Sequence, residues 1–382
     1  MLKNHWYAVE FSEAVDLKPH PLRVFGQHLV LYRDRLGALV CHSDVCVHCG
    51  TPLSSGQVVG DCIQCPRDGW QYDLEGDATT IPSVAGEETI PLHARVDTYP
   101  CVEQYGYIFV FLGDLPGDRR PPGPRLPVLD VMPNAQAHGN RIVTGEFAWN
   151  ANFERVIEHN VDTTRSPLVQ QGEHAIEEAH VGLWLTGVVG STTGVASDPA
   201  EFRKLFGAKP GDGAVAVRVA VFFPNLTMLE VVLGSGVMRL FTAVVPVDAT
   251  HTISKWTMCR TFSKAPLTDG AARRRVQRML ATARSTIEAP PASGFEDEPA
   301  GETTSDTASG PDSVPTSVGS AYRQWRRTVL GWGWGIEQAP DDGFDDWTST
   351  RVIPSPARRF HPELADLWVL AELAPIEVHR DA

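Results

Sequence analysis

Six residues between positions 46 and 68 carry the first chemical signal. Cys46, Cys49, Cys62 and Cys65 place four of the chain's seven cysteines in one short stretch, with His48 inside the first pair and Asp68 just after the last. Thiolates are ligands for borderline and soft metals. Two Cys-x-x-Cys pairs with twelve residues between them have the spacing of a structural tetrahedral zinc site. The same loops can also close without a metal, the thiols packing as small apolar groups. A second group follows the segment Trp149-Asn-Ala-Asn-Phe153: the carboxylate Asp162, the fixed cation Arg165 and the amide Gln170. Arg and Gln side chains are hydrogen-bond donors, and fixed donors can polarise a carbonyl.

The elements that would position these groups are mainly strands. Short apolar runs separated by turns fill residues 1–115, among them Pro21–Phe25, His28–Tyr32, Ala38–Val40 and Tyr107–Leu112. Pro116 to Pro127 reads as a linker, so a small β domain over 1–120 precedes a larger domain over 121–382. That second part opens with long strand patterns from about Arg141 to Phe262. A helix is expected from Asp269, as its cap, to Ile287, because Val276, Met279, Leu280, Ala283 and Ile287 recur at helical spacing. A second helix should precede Gly331-Trp-Gly-Trp-Gly335, and a third should span Pro362 to Ala371. Glu173 to His180 reads as solvated helix with His174 and Glu178 on one face. The fold class is α+β.

The balance of the 382 residues excludes several partners. A net charge of −14 disfavours nucleic acid, which needs clustered Lys and Arg. No apolar run is long enough to span a membrane, and Met1-Leu-Lys-Asn-His-Trp6 has no apolar signal core, so a cytoplasmic protein is expected. Residues 290–320 hold six carboxylates and no Lys or Arg. Their Pro, Ser, Thr and Gly content predicts a disordered acidic insertion.

Both groups resemble Rieske non-haem iron oxygenases of the alpha-subunit type. The first loop pair, Cys46-x-His48 and Cys65-x-x-Asp68, is similar to the family's Cys-x-His and Cys-x-x-His. Asn4-His-Trp-Tyr-Ala-Val9, Gly69-Trp70-Gln-Tyr-Asp-Leu-Glu-Gly76 and Ile81-Pro-Ser83 resemble its flanks. The segment from Trp149 to Gln170 resembles the family's iron-binding motif. The resemblance implies a Rieske-type antiparallel β domain, then a helix-grip-like sheet with helices around an apolar pocket, commonly in a trimer. It also implies a [2Fe–2S] cluster and a mononuclear iron, but three expected histidine positions are Asp68, Arg165 and Gln170. Arg offers no lone pair, and its charge repels iron. No convincing third iron ligand stands among Glu337, Asp341, Asp342, Asp345 and Asp346, and His159, His174 and His180 are the only nearby replacements. The family's relay between a cluster histidine and a bridging carboxylate would here pair Asp68 with Asp162, two groups that repel unless one is protonated.

The expectation is therefore a degenerate member without resident cofactors, with a [2Fe–2S] cluster or zinc as the alternatives. Its most economical role is metal-independent ring closure, including [4+2] cycloaddition, of an apolar polyketide-like intermediate, with Arg165, Gln170 and Asp162 as the working residues. A silent partner subunit and a true oxygenase with unusual ligands are the alternatives. A homotrimer follows from the resemblance.

Overall fold

The computed structural model describes residues 2–83, 90, 94–123, 140–161, 170–181, 184–195, 215–233, 236–289, 317–335 and 353–357. They fall into two compact units. The first comprises residues 2–123 together with 247–249, 332–335 and 353–357. The second comprises the rest.

The first unit is built from three small antiparallel sheets. β1 (His5–Phe11) pairs with β10 (Tyr107–Leu112), which pairs with β9 (Cys101–Gln104). All six residues of β10 are buried, which is why its sequence is an unbroken apolar run rather than an alternating one. β2 (His20–Val24), β3 (Gln27–Arg33) and β4 (Leu39–Ser43) form a meander. β5 (Gln57–Val59), β6 (Cys62–Gln64), β7 (Gln71–Tyr72) and β8 (Ala78–Thr80) form the third sheet. A core of Val30, Tyr32, Leu53, Ile63, Tyr72 and Val96 joins the last two sheets, and Cys46 and Cys65 belong to it.

This unit also takes residues from the far end of the chain. Leu2 bridges Gly335, and Lys3 N–H donates to the Trp334 carbonyl at 2.8 Å. The buried Tyr99 hydroxyl donates to the Ile353 carbonyl at 2.5 Å, Ile353 N–H donates to Gln27 Oε1 at 2.8 Å, and Ser355 Oγ donates to Asp97 Oδ1 at 2.6 Å. A division into 1–120 and 121–382 does not anticipate this return.

The second unit is a seven-stranded antiparallel sheet in the order β11-β17-β16-β15-β14-β13-β12. Its strands are β11 (Arg141–Trp149), β12 (Gln170–Val181), β13 (Trp184–Val195), β14 (Val215–Phe222), β15 (Leu226–Leu233), β16 (Gly236–Pro246) and β17 (Thr252–Arg260). β12 through β17 form a meander, and β11 closes it by pairing with β17. Helix α1 (Phe153–Val161) connects the two ends of the sheet and packs on β14, β15 and β16. Its buried residues, Phe153, Val156, Ile157 and Val161, share one helical stripe. Helix α2 (Asp269–Ile287) packs on β11 and has the expected bounds. Asp269 does not cap it. Its carboxylate instead accepts from Arg260 Nη2 at 2.6 Å and from Arg141. Helix α3 (Val318–Gly331) precedes the Gly-Trp repeat as expected.

Two further expectations change. Glu173–His180 is strand, not helix, within the edge strand β12. The expected insertion ends too late, because Val318–Ser320 open α3; residues 290–316 and the helix expected over 362–371 lie outside the described residues.

Candidate metal centre

Two loops carry the cysteines, and both have one backbone frame. After β4, Cys46 N–H donates to the Thr51 carbonyl at 3.0 Å, and Gly50 N–H donates back to the Cys46 carbonyl at 2.8 Å. After β6, Cys65 N–H donates to the Trp70 carbonyl at 2.8 Å, and Gly69 N–H donates back to the Cys65 carbonyl at 3.1 Å. Each loop therefore closes four residues after its cysteine on a glycine of positive φ, +70° at Gly50 and +74° at Gly69. Only glycine holds that conformation without strain.

Each frame turns two backbone N–H groups onto its cysteine sulfur: those of His48 and Cys49 onto Cys46, and those of Arg67 and Asp68 onto Cys65. The two thiols nonetheless differ. Burial pushes Cys46 up to about 12, outweighing the hydrogen bonds from Tyr72 and the two N–H groups. Burial is also the largest influence on Cys65, but the N–H groups of Asp68 and Arg67, with the thiols of Cys46 and Cys49, together overcome it and lower its pKa. Cys46 Sγ lies 3.2 Å from the Tyr72 hydroxyl, and Cys49 Sγ lies 3.6 Å from Cys65 Sγ.

The donor atoms fall into two overlapping groups. Cys46, Cys49 and Cys65 lie within 4.8 Å of one another, and so do His48, Cys49 and Asp68. Cys49 belongs to both. His48 Nδ1 faces Asp68 Oδ2 at 3.1 Å, and its ring stacks on Trp70 with centroids 4.7 Å apart and planes 9° from parallel. Asp44, at the end of β4, anchors the first loop. Its carboxylate accepts from Ser54 N–H and Ser54 Oγ, both at 2.6 Å.

The structure brings together Cys46, His48, Cys49, Cys65 and Asp68, but not Cys62. Cys62 sits on β6 with Sγ 3.5 Å from Thr79 Oγ1, outside both donor groups. The four-thiol zinc set is corrected accordingly. Strand alternation is the cause: Ile63 points into the core, so Cys62 points away from it. Sequence reading did not single out Asp44, nor the placing of Trp70 and Tyr72 against the donors. The short strand Gln71–Tyr72 after the Gly69 turn was the available signal for Tyr72.

In the second unit, α1 ends at Val161, directly before Asp162. Asn160 Nδ2 donates to Thr227 Oγ1 on β15 at 3.1 Å, and ion pairs from Arg323 and Arg326 to Glu158 and Glu154 tie α3 to α1. Asp162, Arg165 and the carboxylates at 337–346 lie outside the described residues, as does the side chain of Gln170, whose backbone begins β12. The proposed contact of Asp68 with Asp162 is therefore also outside them. His180 pairs with Glu178 at 3.0 Å on the exposed side of β12. A cavity of about 100 Å³ among Met238, Met258, Arg260, Phe262 and Ala272 lies in this unit. It is smaller than the ~300 Å³ at which ligand pockets begin.

Residues 5–100 match the Rieske [2Fe-2S] domain family, and both loops lie inside that span. Over that span the chain is similar to the Rieske parts of proteins named as oxygenases. It is 37% identical over 122 residues to chlorophyllide a oxygenase of Chlamydomonas reinhardtii, a stretch covering 31% of this chain and 18% of that protein. It is 35% identical over 116 residues to aminopyrrolnitrin oxygenase PrnD of Pseudomonas fluorescens, covering 29% and 32%. The chain thus spans a third or less of these two relatives' lengths. Its fold is similar to that of dicamba monooxygenase with non-heme iron and dicamba, at a TM-score of 0.61 and 18% identity, over 87% of this chain and 98% of that one.

A Rieske cluster takes two cysteines on one iron and two histidines on the other. Cys46, Cys65 and His48 supply three such donors. The fourth donor facing His48 is the carboxylate of Asp68, a harder ligand than iron–sulfur chemistry favours. The residues present therefore do not fit the Rieske cluster. Among the described residues, no helix is long and apolar enough to cross a membrane.

Proposed function

We propose that this Rieske-oxygenase-like chain is a metal-independent ring-forming enzyme acting on an apolar, polyketide-like intermediate. One observation carries the reading: Arg165 and Gln170 stand where the resembled motif has its iron-binding histidines. A guanidinium offers no lone pair to a metal, but it is a strong, permanently charged donor. Placed at a substrate carbonyl, Arg165 and Gln170 lower the energy of an attached alkene toward an electron-rich diene. The pocket walls hold the chain in the reactive fold, which removes much of the entropic barrier. In an intramolecular [4+2] closure, two carbon–carbon σ bonds form while three π bonds become one. No atom, proton or electron is gained or lost, so no reductant is needed. Asp162 serves as a positioning residue that orients the Arg165 guanidinium, and the working assembly is a homotrimer.

A second reading is favoured by the names of the relatives, which are oxygenases. The two differ in product mass. Linear polyene carbonyl compounds are incubated with the chain, with and without chelator, in the absence of reductant. A product of unchanged mass, insensitive to chelator and slowed by Arg165→Ala or Gln170→Ala, is expected. A product carrying an added oxygen atom, formed only with iron and an electron donor, overturns the proposal.

A further inference from the structure

We propose that the first unit binds one tetrahedral divalent ion of the zinc class through Cys46, Cys49 and Cys65, with the fourth ligand supplied by the His48–Asp68 pair. This site is independent of the ring-forming chemistry assigned to the second unit. Cys49 is the residue that decides it. The Rieske pattern does not use that position, yet its sulfur belongs to both donor groups. A tetrahedral ion with metal–sulfur bonds of ~2.3 Å sets its sulfurs about 3.8 Å apart. Cys49 and Cys65 are 3.6 Å apart, and Cys46 lies within 4.8 Å of both. A two-iron cluster spreads its ligands over two centres, so it does not call for three sulfurs around one point.

The surroundings suit such an ion. Two N–H groups aim at Cys46 and two at Cys65, which offsets the charge of thiolates in a buried place. The Asp68 carboxylate on His48 Nδ1 is the second-sphere arrangement that orients a metal-binding imidazole and leaves Nε2 with the lone pair. Trp70 holds the ring plane. Binding converts three thiols to thiolates and releases three protons to solvent, with no change of oxidation state.

The test uses the full chain purified without added metal, analysed for zinc, iron and acid-labile sulfide, then titrated with cobalt(II) as a spectroscopic probe. One zinc per chain without sulfide is expected, with tetrahedral cobalt bands and thiolate-to-cobalt charge transfer of three-sulfur intensity. Losing a second-sphere partner costs about 10–100-fold in metal affinity. Asp68→Asn should fall in that range, and Cys49→Ser should lose more than about tenfold, while Cys62→Ser should bind as the native chain does. Cys49→His keeps a donor and should restore tetrahedral cobalt with a two-sulfur spectrum, which guards against a Cys49→Ser chain that merely misfolds. Native affinity in Cys49→Ser, a two-sulfur spectrum in the native chain, two irons with two sulfides, or no saturable cobalt binding would each overturn the proposal.

Discussion

The two loops of the first unit have the same backbone and different chemistry. Each closes four residues after a cysteine on a left-handed glycine, and each turns two N–H groups onto its sulfur. The frame is thus fixed by Cys46 and Gly50 in one loop and by Cys65 and Gly69 in the other. The residues between are free to change donor type without moving the chain. The first loop offers His48 and Cys49 at the second and third positions after its cysteine; the second offers Arg67 and Asp68. Their anchoring differs as well. A buried carboxylate, Asp44, ties the first loop to Ser54, whereas the second rests on the Gly69 turn beside Pro82. A frame of this kind can outlast a change of ligand, and the match of residues 5–100 to a family speaks for the frame more than for the donors.

Changing a donor inside an unchanged frame should have the largest effect. Asp68→His converts the set to two cysteines and two histidines. Anaerobic reconstitution should then raise iron from none to about two per chain with equal sulfide, read by metal analysis and visible absorption. A chain that still takes up no iron would mean that the loops differ in more than their donors.

The anchors give the next effect. Burial, against the Ser54 hydrogen bonds, raises the Asp44 carboxyl to about 6. The folded chain then holds a proton that the unfolded chain, with a value near 3.8, has already released. Stability from this group therefore grows as pH falls through 6 toward 4, and is absent above that window. The full difference is about 3 kcal/mol, of which about 1 kcal/mol falls between pH 7 and pH 5. Urea unfolding at pH 7 and pH 5 should show that gain in the native chain and lose it in Asp44→Asn; equal slopes would remove Asp44 as the distinguishing anchor.

Smaller effects test the shared frame. Gly69→Ala places a side chain at positive φ and a Cβ 3.2 Å from Pro82 Cγ, costing about 1–2 kcal/mol. Gly50→Ala should cost a similar amount, and a tolerant Gly50 would break the equivalence of the loops. Tyr72→Phe leaves the Cys46 sulfur without its hydroxyl partner, for about 1 kcal/mol by thermal unfolding.

The sequence told where apolar periodicity and turn chemistry agree. Helix α2 was readable to its ends because Val276, Leu280 and Ile287 repeat along one stripe. Cys46, His48, Cys65 and Asp68 were readable as one site through the resemblance of the two loops to the Rieske pattern. Cys62 falls outside the donor groups because Cys-x-x-Cys measures distance along the chain, while a strand sends its residues alternately to opposite faces. Glu173–His180 was misread for a different reason. Its charges suit a solvated helix, but they also suit an edge strand, where charge discourages pairing with other chains. The role of Asp269 depended on Arg141 and Arg260, neither of which is close in sequence to a capping position.

The contacts of Ile353 and Ser355 with Gln27, Tyr99 and Asp97 carry a consequence for synthesis. A domain written in the first hundred or so codons would ordinarily fold while the ribosome continues. Here the acceptor of the buried Tyr99 hydroxyl is made 254 residues later, and the donor to the Gln27 carboxamide oxygen 326 residues later. At about 5–20 residues per second that interval lasts on the order of tens of seconds. Throughout it the first unit lacks these partners, so the stretch around Ile353 and Ser355 decides when its core is complete.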